Sequence, residues 1–241
     1  MSLRKHFANF SLFGAVLRVL RRVGDKLSRG FLICLAGVIA FGYFADEMGE
    51  GDTARFDAVV REGVNAFATP LLTPVMIFFS FVGDWPFLTI LGIAIFAFLL
   101  YIKWKREAVI FLIANAGELI LNFSLKAFYR RPRPEGFFGY DLPPSYSFPS
   151  GHALGSFCFF GILAWLLAAN VESTRSKQAI YVSAALLVLI IGLSRIYLGV
   201  HYPSDVVAGY LVATVWTLTV IFADRSLLKN KESFPQRRKG A

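Results

Sequence analysis

Six stretches of the chain are almost purely apolar: residues 30–45, 87–101, 108–128, 151–169, 180–193 and 206–223. With its flanks, each approaches the roughly 20 residues a helix needs to cross a bilayer. A seventh stretch, 64–83, is broken by Pro70 and Pro74. Its uninterrupted part, 75–82, is too short to span, which predicts an interfacial or re-entrant helix. The pattern therefore predicts an all-α polytopic membrane protein with six transmembrane helices and an interfacial helix between the first and second.

Polar residues punctuate this pattern unevenly. Residues 1–29 interleave Arg4, Lys5, Arg18, Arg21, Arg22, Lys26 and Arg29 with apolar side chains, as an amphipathic segment on an anionic leaflet does. A cleaved signal peptide shares the basic-then-apolar order, but the long basic lead and the lack of a clear A-x-A site favour a retained anchor. Residues 46–62 are acidic, and the tail 225–241 is basic. The expected organisation is a cytoplasmic segment 1–29, a membrane-integrated domain 30–224 and a cytoplasmic tail 225–241, with no linker dividing the domain.

Composition agrees with the pattern. Hydrophobic residues make up 56% of the chain and charged ones 17%, against about 45–50% and about 25% in soluble domains. The two cysteines, Cys34 and Cys158, lie inside apolar runs and read as buried thiols. The net charge of +9 could suggest nucleic acid, but 18 of the 25 Lys and Arg flank spans on one side if six are counted. The positive-inside rule makes that side cytoplasmic and puts both termini there. Orienting the helices accounts for the charge, and no aromatic-and-basic stripe suited to bases appears, so no nucleic-acid partner is expected.

The same topology gathers three polar stretches on the outer face: 126–134 (KAFYRRPRP), 147–152 (SFPSGH) and 194–205 (SRIYLGVHYPSD). His201 and Asp205 stand four residues apart, so they can meet across one helical turn. A carboxylate on one imidazole nitrogen fixes the tautomer and frees the other for attack on phosphorus. Pro203 suits the first turn of the helix that follows. Ser150 is placed as an N-cap, and Gly151 opens a helix N-terminus that an anion can approach closely. His152, in the same turn, is the natural proton donor to a leaving oxygen. Lys126, Arg133 and Arg195, from three segments, can clamp a phosphoryl group.

With Lys126 and Arg133-Pro134, then Pro149-Ser150-Gly151-His152, then Ser194-Arg195, His201 and Asp205, the chain resembles the type 2 phosphatidic acid phosphatase family. That family's signature is K-x6-RP, PSGH and SR-x5-H-x3-D, and no position departs from it. Three ordered motifs with fixed internal spacing make a chance match improbable. The resemblance implies a membrane lipid phosphatase that needs neither metal nor other cofactor. In it His201 becomes a phosphohistidine, Asp205 orients it, and His152 protonates the leaving group and then activates water. Lys126, Arg133, Ser150, Gly151 and Arg195 would hold the phosphate. Undecaprenyl pyrophosphate, phosphatidylglycerol phosphate, phosphatidic acid and lipid A are the substrates it brings into view, met at the outer leaflet of a bacterial cytoplasmic membrane.

Around these residues plainer readings compete. Arg130 and Arg131 read as helix-end side chains snorkelling to the interface or touching a headgroup. Tyr146, Ser147 and Phe148 read as loop-shaping, and Tyr129, Tyr197 and Tyr202 as an aromatic belt. Asn115, Glu118, Asn122 and Lys126 share one face of the third span, with Glu118 roughly 12 Å below Lys126. That stripe is either inter-helix glue or a support under Lys126 that lines the site floor, with Glu118 and Asn122 as its supporting residues. Three other functions bear weighing. A vanadate haloperoxidase would use a similar pocket, but those proteins are soluble. A lipid transporter would suit a mid-span Glu118 and leave the His201–Asp205 pair without a purpose. A phosphoryl transferase would share the site and replace water with an alcohol.

Overall fold

The structure is a computed structural model that describes residues 25–50, 53–140 and 142–233. Eight α-helices account for nearly all of it: α1 (Asp25–Glu50), α2 (Ala54–Asn65), α3 (Leu72–Val82), α4 (Trp85–Tyr101), α5 (Lys105–Tyr129), α6 (Gly151–Ala169), α7 (Thr174–Tyr197) and α8 (Pro203–Ser233). The first 24 residues, and with them most of the predicted basic segment, lie outside the described residues, as does 234–241 of the tail.

Among the described residues, four helices are long and apolar enough to cross a membrane: α5, α6, α7 and the part of α8 up to Arg225. α3 and α4 meet that test only as a pair, bent by 50° at their junction. The stretch 64–83, predicted as an interfacial or re-entrant helix, holds the last residues of α2 and the whole of α3. α2 is a short amphipathic helix, and α3 joins α4 as a broken span or a re-entrant loop. The bend has a local cause. α3 stops at Gly83, and Asp84 starts α4 afresh, its carboxylate accepting the Trp85 N–H at 2.9 Å with Pro86 in the first turn. α1 carries the first predicted apolar run and lies along α8, where Gly30 and Gly37 face Phe222 and Val215 so closely that a Cβ would meet those side chains within 2.5 Å and 2.4 Å.

α6 is the centre of the bundle, packed between α5, α7 and α8. Its buried side chains Leu154, Cys158, Phe159, Ile162 and Leu166 form the cores shared with those neighbours. Many apolar side chains on the outer surface of the helices are exposed, including Ile39, Ile90, Phe98, Ile120, Phe123 and Val182, as a lipid-facing surface requires. At one end of the bundle Arg106, at the start of α5, pairs with Asp224 of α8, its Nε 3.0 Å from Oδ1. At the opposite end, the C-termini of α5 and α7 meet the N-termini of α6 and α8, and the three motif stretches converge there.

One tyrosine read as a belt residue is placed otherwise. Tyr197 is buried, its hydroxyl 2.8 Å from Thr73 Oγ1, because α3 packs across the end of α7. Tyr129, half-buried at the end of α5, packs edge-on to Phe148.

Candidate functional site

α8 opens at Pro203, which places His201 just before it and Asp205 in its first turn. His201 Nδ1 lies 3.3 Å from Asp205 Oδ2, and both side chains are buried. Arg133 Nη1 approaches the other nitrogen, Nε2, at 3.1 Å. A guanidinium only donates, so Nε2 carries a lone pair and Nδ1 carries the proton that Asp205 accepts. The tautomer is fixed, and the free lone pair faces a cation. Burial lowers the His201 pKa to about 3 despite the opposing pull of Asp205, so the imidazole is neutral at ordinary pH.

Arg133 is itself well anchored. Its Nε donates to Ser145 O at 2.7 Å, Nη1 to Val200 O at 2.8 Å and Nη2 to Ser145 Oγ at 3.0 Å. Burial, then the neighbouring Arg195, lowers its pKa to about 10, which leaves it charged at neutral pH. Lys126, in the last turn of α5, donates to Tyr146 O at 2.5 Å. Arg195, near the end of α7, donates to Ser80 Oγ on α3, and its guanidinium lies 5.9 Å from the Tyr140 ring. Lys126 feels the charges of Arg133, Asp205 and Arg195, so the three predicted cations gather at one spot.

Ser150 caps α6 as predicted, its Oγ accepting the Ala153 N–H at 3.4 Å, while its own N–H donates to Asp205 O at 2.9 Å. Gly151 follows, with Asn122 packed beneath it so closely that a Cβ would come within 2.9 Å of the Asn122 amide. His152 stands one residue on, within electrostatic reach of Arg195, His201, Arg133 and Lys126. Its Nε2 is 3.8 Å from Asp84 Oδ1 at the α3–α4 junction. His152 Nε2 and Arg195 Nε are buried with no hydrogen-bond partner among the described residues, and such atoms are rare unless a ligand or water satisfies them. Glu118, one turn deeper than Asn122, lies against Gly155, its Oε1 3.5 Å from where a Cβ would stand. The Glu118–Asn122 stripe therefore seats α5 on Gly151 and Gly155 of α6.

Several residues at the site were not read as such from the sequence. Arg131, expected to snorkel, instead turns inward. Its Nη1 lies 2.7 Å from Asp205 Oδ1 and its Nη2 2.8 Å from Asp57 Oδ2. The left-handed Arg130 ends α5, and the prolines at 132 and 134 favour extended backbone in the residues before them. Residues two apart in extended chain share a face, so Arg131 and Arg133 both reach the site. Arg130 stays exposed and bonds its own helix at Ala127 O, 2.9 Å away. Ser147, expected only to shape its loop, donates to Asp205 Oδ2 and sits 3.3 Å from His201 Nδ1. Ser80, Asp84 and Asp57 complete the set, all three from the segment between the first and second predicted spans.

Residues 107–226 match the PAP2 superfamily. The chain is 28% identical over 155 residues to phosphatidylglycerophosphatase B of Bacillus subtilis, covering 64% of this chain and 76% of that protein. It is 33% identical over 140 residues to a lipid A 1-phosphatase of Rhizobium johnstonii, covering 54% of this chain and about half, 52%, of that protein. A 72-residue stretch is 35% identical to an undecaprenyl-diphosphatase of Sulfolobus acidocaldarius, covering 30% of this chain and 31% of that protein. Among solved structures, the PAP2-type phosphatidylglycerolphosphate phosphatase of Bacillus subtilis superposes with a TM-score of 0.73 at 24% identity, covering 85% of this chain and 98% of that one. LpxE of Aquifex aeolicus gives 0.53 at 28% identity, covering 68% and 93%.

Proposed function

Because the chain belongs to the PAP2 superfamily of membrane lipid phosphatases, we propose that it hydrolyses a lipid phosphate monoester or lipid pyrophosphate at the outer leaflet through a phosphohistidine on His201. The observation that carries this reading is the orientation of one imidazole: Nδ1 bound to Asp205, Nε2 turned toward Arg133. In the first step Nε2 bonds to phosphorus and the bond from phosphorus to the lipid oxygen breaks. His152 gives that oxygen its proton. Asp205 stabilises the imidazolium as it forms, and Arg133, Lys126 and Arg195, with the α6 N-terminus at Ser150 and Gly151, hold the phosphoryl oxygens. In the second step His152 takes a proton from water, the water oxygen bonds to phosphorus, and the bond to His201 breaks. No step calls for a metal or other cofactor.

The lipid identity of the substrate fits the placement of the site at the end of a bundle whose flanks are apolar and exposed. Acyl or isoprenoid chains would stay in the bilayer while the headgroup reaches the cations from the side, past α2 and α3. Six spans follow if α1 and the bent α3–α4 pair each cross once, which puts both termini in the cytoplasm and the site outside. The relatives act, by their names, on phosphatidylglycerophosphate, lipid A and undecaprenyl diphosphate. A bacterial isoprenoid or glycerophospholipid phosphate is the substrate class we favour, with lipid A as the alternative.

The test is phosphate release by purified protein in detergent with EDTA present. The panel is undecaprenyl pyrophosphate, phosphatidic acid, phosphatidylglycerol phosphate and lipid A, and His201→Ala is the control. Release that survives EDTA and disappears in the variant is expected, and the panel ranking selects the substrate. Equal release from the variant, or none from any lipid, would point to a different activity.

A further inference from the structure

Behind the His201–Asp205 pair lies a second layer of charge contributed by α2. Asp57 is only 2% exposed, although it belongs to a short surface helix. Its Oδ1 accepts the Ser204 N–H at 2.8 Å, and its Oδ2 accepts Ser204 Oγ at 2.6 Å and Arg131 Nη2 at 2.8 Å. Arg131 then reaches Asp205 Oδ1 and Ser204 Oγ, each at 2.7 Å, through Nη1. Asp205 is thus divided: Oδ1 belongs to Arg131, while Oδ2 serves His201, Ser147 and the Tyr202 N–H. We propose that Asp57 and Arg131 are positioning residues for this site, with Asp57 of α2 holding the Arg131 guanidinium so that it fixes Asp205 without drawing the carboxylate away from His201.

The charge count explains why both are present. With a neutral imidazole, the two buried carboxylates and one guanidinium carry one net negative charge. When His201 takes the phosphoryl group and its ring becomes cationic, that surplus is balanced in place, with no rearrangement needed. Neutralising Asp57 alone would leave Arg131 paired only with Asp205, so the surplus that stabilises the ring cation would be gone. Removing the charge of Arg131 alone would leave two buried carboxylates without the cation between them, and Asp205 would lose its hold beside His201. Removing both charges restores the single negative charge beside His201. Charge parity therefore predicts that the double variant outperforms its singles, which a purely structural role does not.

This inference rests on the phosphohistidine reading, and the experiment keeps the two apart. Wild type, His201→Ala, Asp57→Asn, Arg131→Gln and the double variant would be purified in detergent, checked for monodispersity, and assayed for phosphate release from the best lipid of the panel. Each single is expected to lose about tenfold or more in kcat with KM little changed, and the double to regain much of that loss. Singles with wild-type kcat, or a double no better than its worse single, would overturn the proposal. Should a single fail to give monodisperse protein, Asp57→Glu keeps the charge and displaces it by one methylene. A kcat drop supports the relay there, and wild-type kcat overturns it. An active wild type with an inactive His201→Ala keeps the phosphohistidine reading whichever way the relay variants fall, whereas activity in His201→Ala removes that reading first.

Discussion

His201 shows how far a single side chain can be derived from its surroundings. A histidine in the motif was expected to attack phosphorus, and the geometry supplies the tautomer that attack requires. The same burial has a cost for stability. In the folded protein the imidazole titrates at about 3, against 6.5 when unperturbed. Between those values the unfolded chain holds a proton that the folded chain lacks, so stability falls as pH falls from about 6.5 toward 3. The slope contributed is at most about 1.4 kcal/mol per pH unit. Thermal unfolding in detergent should therefore drop between pH 7 and pH 5 in the wild type, and drop less in His201→Asn. Parallel curves for the two proteins would show that burial, helped by the charges of Arg133 and Lys126, does not hold this ring neutral against Asp205.

Other residues show where sequence reasoning stopped. The signature positions were legible because their spacing and order are fixed, and Ser150, Gly151 and Pro203 could be assigned to helix starts by their own chemistry. Asp57 was not legible, because it sits in an acidic stretch and meets Arg131 from 74 residues away. A faint signal existed: Asp57, Val60, Arg61 and Val64 fall at helical spacing, and they form the inward face of α2. Ser80 was hidden inside an apolar run, and Ser147 in a loop whose path depends on tertiary contacts. Arg131 was misjudged because helix-end snorkelling ignores what two prolines do to the chain direction.

At the scale of elements, the site is held by close approaches that small residues allow. Gly209 of α8 lies under the first turn of α6, where a Cβ would come within 2.8 Å of Ser150 O and 3.0 Å of Ala153 Cβ. Backbone cannot yield there as a long side chain would. Gly209→Ala should destabilise the protein by about 1–3 kcal/mol, seen as a lower unfolding temperature, and should reduce turnover because Ser150 also anchors to Asp205. An unchanged melting temperature and turnover would mean that α6 and α8 can part without harm to the site. The α3–α4 junction is the element that the apolar pattern described least well. Pro70 and Pro74, read as breaking the run, lie before α3 and in its first turn, whereas the bend falls at Gly83 and Asp84. Hydropathy does not reveal that this end reaches His152 and Arg195.

Across the whole molecule, one end of an apolar bundle is fixed by the Arg106–Asp224 pair, and the other assembles charged and imidazole groups from five helices and three connections between helices. The apolar runs predicted most of the helices, and the distribution of Lys and Arg supplied the orientation used in the proposal. Pattern alone did not show how the short segment between the first two spans folds back over the site, because its contribution comes from contacts far apart in sequence. In the proposed function that segment, with α2 and α3, is the flank past which a lipid headgroup would reach the cations.

The central claim is that the phosphoryl group passes through His201. The most direct measurement is to mix purified protein with a lipid carrying a labelled phosphoryl group, quench during turnover and locate the label on the chain. The account predicts label on His201, stable to base, lost in acid and absent from His201→Ala. Acid-stable label on a serine, or turnover that continues without His201, would contradict it.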